Sequence, residues 1–139
     1  MTILDQLPSV SKRNIAIHVK PAAERALCEE HPWVYENSIK QQSITGKSGD
    51  IAVIFDKRDR FLAVGLYDAD SAIRIKILHH NSPARVNREF FQKKLADAMT
   101  LRQAILETDT TGYRLVYGEG DGLPGLIIDR YVDVLVLKL

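Results

Sequence analysis

Ile73-Arg74-Ile75-Lys76-Ile77 alternates apolar and cationic side chains one for one. A period of two puts the isoleucines on one face of a strand and Arg74 with Lys76 on the other. Working back from it, the same period predicts strands over Ser38–Ile44, Asp50–Phe55 and Phe61–Tyr67, with Ile73–Leu78 as the fourth. Thr45-Gly46-Lys47-Ser48-Gly49, Asp56-Lys57-Arg58-Asp59-Arg60 and Asp68-Ala69-Asp70-Ser71 separate them as turns. Short strands with brief connections favour a small antiparallel barrel or sandwich over a parallel sheet.

On the N-terminal side, residues 1–14 lack a period and read as a lead-in. Ile15, Ile17 and Val19 suggest a first strand that ends at Pro21. Ala22 to Glu30 reads as a short helix of good formers, broken by Pro32. On the C-terminal side, Phe91, Leu95, Ala98, Leu101 and Ile105 recur at spacings of three and four, the stripe of an amphipathic helix. Asn87 is its expected N-cap, with Val86 placed to staple against Phe91. Tyr113–Tyr117 and Leu126–Tyr131 then read as two strands joined by a glycine-dense turn. Val134 to Leu139 is strand-like with no closing turn after it, as if the chain stopped partway through something larger.

Hydrophobic residues make up 45% and charged residues 27% of the 139, the balance of an ordinary globular protein. No apolar run approaches the roughly 20 residues needed to span a bilayer. The opening Met1-Thr-Ile-Leu-Asp-Gln has no basic region leading into an apolar stretch, so no secretory signal is read. A single cysteine cannot form an internal disulfide, which is compatible with a cytoplasmic location. The net charge of +1 gives no overall attraction to nucleic acid, so such binding needs a local patch.

Gly120-Asp121-Gly122-Leu123-Pro124-Gly125 matches G-x-G-x-x-G, a pattern that serves dinucleotides when a helix N-terminus follows. Here a β-branched run follows, and Glu119 with Asp121 would repel phosphate, so the expected role is a structural loop. Cys28 stands beside Glu29 and Glu30 with no adjoining cation to favour a thiolate nucleophile, and is read as a packing residue. The histidines show no metal-ligand spacing, and no catalytic or metal site is assigned. The candidate contacts for a phosphate backbone are Lys20, Arg25, Arg58, Arg60, Arg74 and Lys76. If they converge they form a binding surface; otherwise they are a solvated face balanced by Asp56, Asp59, Glu29 and Glu30, the reading composition favours.

Glu30-His31-Pro32-Trp33-Val34-Tyr35, the β-rich stretch, and then Tyr113-Arg114-Leu115-Val116 with Gly118 through Tyr131 resemble a known pattern. In that order they are similar to the N-terminal third of the S-adenosylmethionine-dependent methyltransferases that make 5-methylcytosine in large-subunit ribosomal RNA. The resemblance covers about Ile15 to Leu139. It implies an α+β fold in which a PUA-like domain, a small mixed β pseudo-barrel that binds RNA, spans residues 15–80. Residues 81–139 would be a helix and β-hairpin opening a central region, cut short, with the Rossmann-like catalytic domain absent. S-adenosylmethionine would serve the full-length protein, and this chain would be inactive and without cofactor alone. Two departures stand out. Ala22-Ala23-Glu24 and Cys28-Glu29-Glu30 occupy a helix where relatives carry glycine and more basic residues, and Val132 follows Tyr131 where relatives have glycine.

The leading expectation is therefore an RNA-binding portion of a ribosomal RNA methyltransferase, whose partner is structured RNA. The rival is a free-standing PUA-like module that binds RNA or protein without enzymatic activity; a small nucleotide-binding enzyme rests on the glycine match alone. Trp33 either stacks on a base or anchors the core, and an indole beside His-Pro favours the core. The bare final strand invites self-association.

Overall fold

The computed structural model describes residues 11–139. Most of the expected lead-in, residues 1–10, lies outside them. Strand β1 (Asn14–Val19) leads into helix α1 (Pro21–Cys28), β2 (Trp33–Tyr35) and β3 (Ile39–Gln42). Then come β4 (Ile51–Phe55), β5 (Phe61–Tyr67) and β6 (Ile73–His80). Helix α2 (Arg88–Leu101) is followed by β7 (Gly112–Tyr117), β8 (Ile127–Tyr131) and β9 (Val134–Lys138).

The first six strands form one sheet in the order β2-β6-β5-β4-β1-β3. Its pairs are antiparallel except β1 with β4, which run parallel, Asn14 opposite Ile51 and His18 opposite Phe55. The sheet is therefore mixed, as the resemblance implied, because β1 leaves through α1 before its parallel neighbour β4 is reached. Pro21 opens α1 at a position where its missing N–H costs nothing. Alternation sends Ile15, Ile17, Val19, Ile54 and Ile75 inward against Leu27 of α1, all of them at most 1% exposed. Each such side chain contributes roughly 1.5–3 kcal/mol of burial free energy. At Gly65 a Cβ would lie 2.5 Å from the Lys76 carbonyl oxygen, so only glycine lets β5 approach β6 where their register shifts.

The remaining strands form a second sheet, β7-β8-β9, antiparallel throughout. Asn87 caps α2 as expected, its side chain accepting from Phe90 N–H at 2.9 Å. The helix packs Ala98, with Phe91 and Leu95, on Val116, Leu123 and Ile128. Its apolar stripe is shorter than the periodicity suggested. The helix ends at Leu101, which is 75% exposed, and Ile105 falls in a separate 3-10 turn over Gln103–Glu107.

Candidate nucleic-acid interface

Parallel pairing of β1 with β4 brings the end of β1, the start of α1 and the Asp56–Arg60 turn to one end of the barrel. Buried Asp56 builds that turn. Its Oδ1 accepts from Arg58 and Arg60 N–H at 2.8 and 3.0 Å, and its Oδ2 accepts from the Arg60 guanidinium at 2.7 Å. Those backbone N–H donors hold its carboxyl below the ordinary value against the opposing effect of desolvation. Asp59, in the left-handed region at φ 59°, meets His18 Nε2 at 2.7 Å and so fastens the turn to β1. Lys57 N–H bonds Glu24 of α1 at 3.0 Å, fastening it to the helix.

Arg25 and Arg60 line one hollow with Asp56, Arg58 lies in the same turn, and Lys20 stands at the start of α1. Lys20 Nζ reaches only a carbonyl, Asn37 O at 2.6 Å. The side chains of Arg25 and Arg58 are exposed and carry no ion pair among the described residues, and the same holds for Lys57, a neighbour the sequence reading left out. Arg60 is held by Asp56. Its place beside Arg58 in the same turn was the available signal for Lys57.

Arg74 and Lys76 lie elsewhere, near the Tyr67 end of β5, six residues or about 20 Å along the strand from Phe61. The Arg74 side chain is 12% exposed. It pairs with Glu36 at 2.8 Å, donates to the Asp68 and Ala69 carbonyls and lies over the Tyr67 ring. Lys76 faces Asp68 at 3.5 Å. The shared strand face that the alternation implied exists, but its arginine is used within the fold.

Trp33 does not enter the core, as the His-Pro context suggested; Val34, 1% exposed, does so instead. Trp33 is half-buried, opposite Lys76, and donates its indole N–H to Glu119 at 3.0 Å. Cys28 is exposed and not a packing residue, because Leu27 takes the inward position on α1. The glycine-dense segment is a 3-10 turn over Gly118–Asp121, with Gly118, Gly122 and Gly125 at positive φ. Asp121, its side chain 4% exposed, closes it, accepting from Arg102 through both oxygens at 2.7 Å and from Tyr117 N–H at 2.6 Å. No helix N-terminus follows that could receive a pyrophosphate. Among the described residues no set of His, Cys, Asp and Glu side chains converges on a metal site, and no helix is long and apolar enough to cross a membrane.

The pattern of the PUA-like domain family matches residues 17–80, the stretch that builds the mixed sheet and α1. Residues 17–80 are thus similar to a PUA-like domain. The chain is 42% identical over 137 residues to a ribosomal RNA large subunit methyltransferase of Deinococcus radiodurans, covering 95% of this chain and 34% of that protein. It is 36% identical over 129 residues to ribosomal RNA large subunit methyltransferase I of Shewanella denitrificans, covering 90% and 32%. The chain thus spans about a third of the length of these curated relatives. A solved structure assigned as a SAM-dependent methyltransferase, from Streptococcus mutans, superimposes with a TM-score of 0.75 at 18% identity, over 88% of this chain and 32% of that one. Another structure assigned as a methyltransferase, complexed with SAH, gives 0.74 at 17% identity, over 90% and 32%. These structures share the fold over most of this chain.

Proposed function

We propose that this chain is the RNA-binding portion of a cytoplasmic, S-adenosylmethionine-dependent ribosomal RNA (cytosine-5) methyltransferase. In this reading residues 15–80 hold structured RNA, and residues 81–139 begin the link to the part that transfers the methyl group. The observation that carries it is the exposed, ion-pair-free Lys57 and Arg58 in the turn built by Asp56, with Arg25 on the helix fastened to that turn, while Asp56 is held by Arg60 and Asp59 meets His18. Such a cluster neutralises a few phosphates without reading bases, which suits recognition of an RNA helix by its backbone. Similarity to ribosomal RNA methyltransferases supports the choice of partner. Binding is weak, insensitive to sequence and steeply reduced by salt.

The test is the affinity of the chain for a ribosomal RNA helix across a salt series. Replacing Lys57 and Arg58 together by Ala should weaken binding and flatten the logarithmic salt slope by about two. Replacing Lys76 by Ala should change the slope by less, since Asp68 already partners that ammonium. Parallel slopes for the parent and the Lys57/Arg58 variant would remove this end of the barrel as the contact.

A further inference from the structure

The face of the second sheet turned away from α2 carries a hollow of about 440 Å³ that includes Tyr117, Arg114, Asp129 and Tyr131. Direct pairing of Gly112 with Tyr131, and of Arg114 with Asp129, sets all four positions on one face. The bulge between Arg114 and Val116 then lets Tyr117 share the side of Arg114, whose guanidinium lies 5.6 Å from the Tyr117 ring centroid. Tyr117 and Tyr131 are 58% and 54% exposed.

The Tyr131 ring crosses β7 at Gly112: a Cβ there would meet ring carbons at 3.1 and 3.4 Å. Two residues further along β7, Asp129 holds the Arg114 guanidinium as a fork, Nε–H donating at 2.8 Å and Nη2–H at 3.1 Å. Paired positions two residues apart on a strand are separated by about 7 Å. Carbon atoms in contact sit about 3.5 Å apart, so that spacing admits one planar ring between two others. Each Asp129 oxygen keeps a lone pair at the rim, able to accept from an exocyclic amino group.

We propose that Tyr131 and Arg114 bound a slot for one unpaired nucleobase of single-stranded RNA, with Tyr117 backing the guanidinium. This rests on the reading of the chain as an RNA binder, and it assigns the second sheet a part that phosphate contacts at the barrel end do not supply. Tyrosine and arginine faces both stack on bases, and stacking tolerates any base. A preference for bases bearing an amino group follows from Asp129.

The experiment measures fluorescence anisotropy of a labelled, unstructured short oligoribonucleotide, and of the same backbone lacking its bases, with the 139-residue chain. Tyr131→Ala should weaken binding of the intact oligonucleotide about tenfold or more, and Tyr131→Phe should leave it unchanged. Both variants should bind the abasic strand like the parent. Gly112→Ala, whose new Cβ pushes on the Tyr131 ring without removing it, should lose affinity in the same direction, so the slot remains testable if Tyr131→Ala fails to fold. Unchanged affinity in both Tyr131→Ala and Gly112→Ala, with the parent still binding the ribosomal helix, overturns the slot and leaves the barrel contact standing. A parent that binds neither RNA overturns the RNA-binding reading itself. Competition by free cytidine monophosphate as strong as by the oligonucleotide would mean a mononucleotide site, and would overturn the RNA assignment.

Discussion

Trp33 and Glu119, 86 positions apart, are joined by an indole N–H donating to a carboxylate oxygen at 3.0 Å. The bond ties the edge strand of the PUA-like barrel to the glycine turn of the second sheet. Nearby, the His79 and Phe90 rings meet edge to face with centroids 6.3 Å apart, where β6 hands over to α2. The two units therefore share specific contacts in addition to the connecting chain.

Removing that bond should loosen the units without unfolding either. Trp33→Phe and Glu119→Ala, singly and together, should give a coupling energy of about 1 kcal/mol in a double-mutant cycle followed by urea unfolding. A coupling energy of zero would reduce the contact to an incidental surface pair.

The Arg102–Asp121 pair carries more weight. Its side chains are 16% and 4% exposed, and Asp121 also holds Tyr117 N–H. Asp121→Ala strands a largely buried guanidinium and should cost about 3 kcal/mol or more in chemical denaturation. In the folded chain desolvation raises the Asp121 pKa, but the Arg102 and Tyr117 hydrogen bonds outweigh it and the carboxyl stays below its ordinary value. A depressed carboxyl stabilises fully above the unfolded pKa of about 3.9, and the contribution is lost as pH falls through the folded value. Asp50 follows the same sign, held low by Arg13, Ser11 and Lys47 N–H. Thermal midpoints should hold above pH 5 and fall below about pH 4, with a shallower fall in Asp121→Asn.

Val132 adopts φ 55° in the turn between β8 and β9, its N–H donating to Thr111 O at 2.7 Å. A β-branched residue in the left-handed region is strained by about 1–2 kcal/mol, and glycine is not. Val132→Gly should therefore raise the thermal midpoint, less whatever glycine adds to unfolded-state entropy. A lower midpoint would show that the turn gains more from the side chain than it loses to the backbone.

Val134, Leu135, Val136 and Leu137 are each more than half exposed on β9, whose outer edge carries no partner strand among the described residues. The 139-residue chain on its own should self-associate through this edge, so its sedimentation coefficient should rise with concentration. Val136→Lys should abolish the rise. A concentration-independent monomer in the parent would show that the edge is tolerated bare.

What the sequence disclosed follows the range of the interactions. β5 was read to the residue, and β4 and β6 to within one or two, because alternation is a local property of Ile51–Phe55 and Ile73–Ile77. β2 escaped notice since three residues after a proline have no period; it is a strand only because Trp33 and Val34 find Lys76 and Ile75. The fate of Arg74 was equally hidden, as its carboxylate partner Glu36 arrives from a separate turn. Lys57 was missed although it adjoins Arg58, because whether an acid is free or engaged depends on contacts such as Lys57 N–H with Glu24 across the fold.

The place of β1 in the sheet bears on how the barrel assembles. Asn14–Val19 is the first strand among the described residues, yet it is flanked by β3 on one edge and β4 on the other, with His18 opposite both Gln41 and Phe55. Neither flank exists until long after β1 has been made, and the parallel partner requires an intervening helix and two further strands. Closing such loops costs entropy before any contact compensates, which slows folding relative to a hairpin meander of the same size. During synthesis Ile15, Ile17 and Val19 therefore lack their parallel neighbour until Phe55 has left the ribosome.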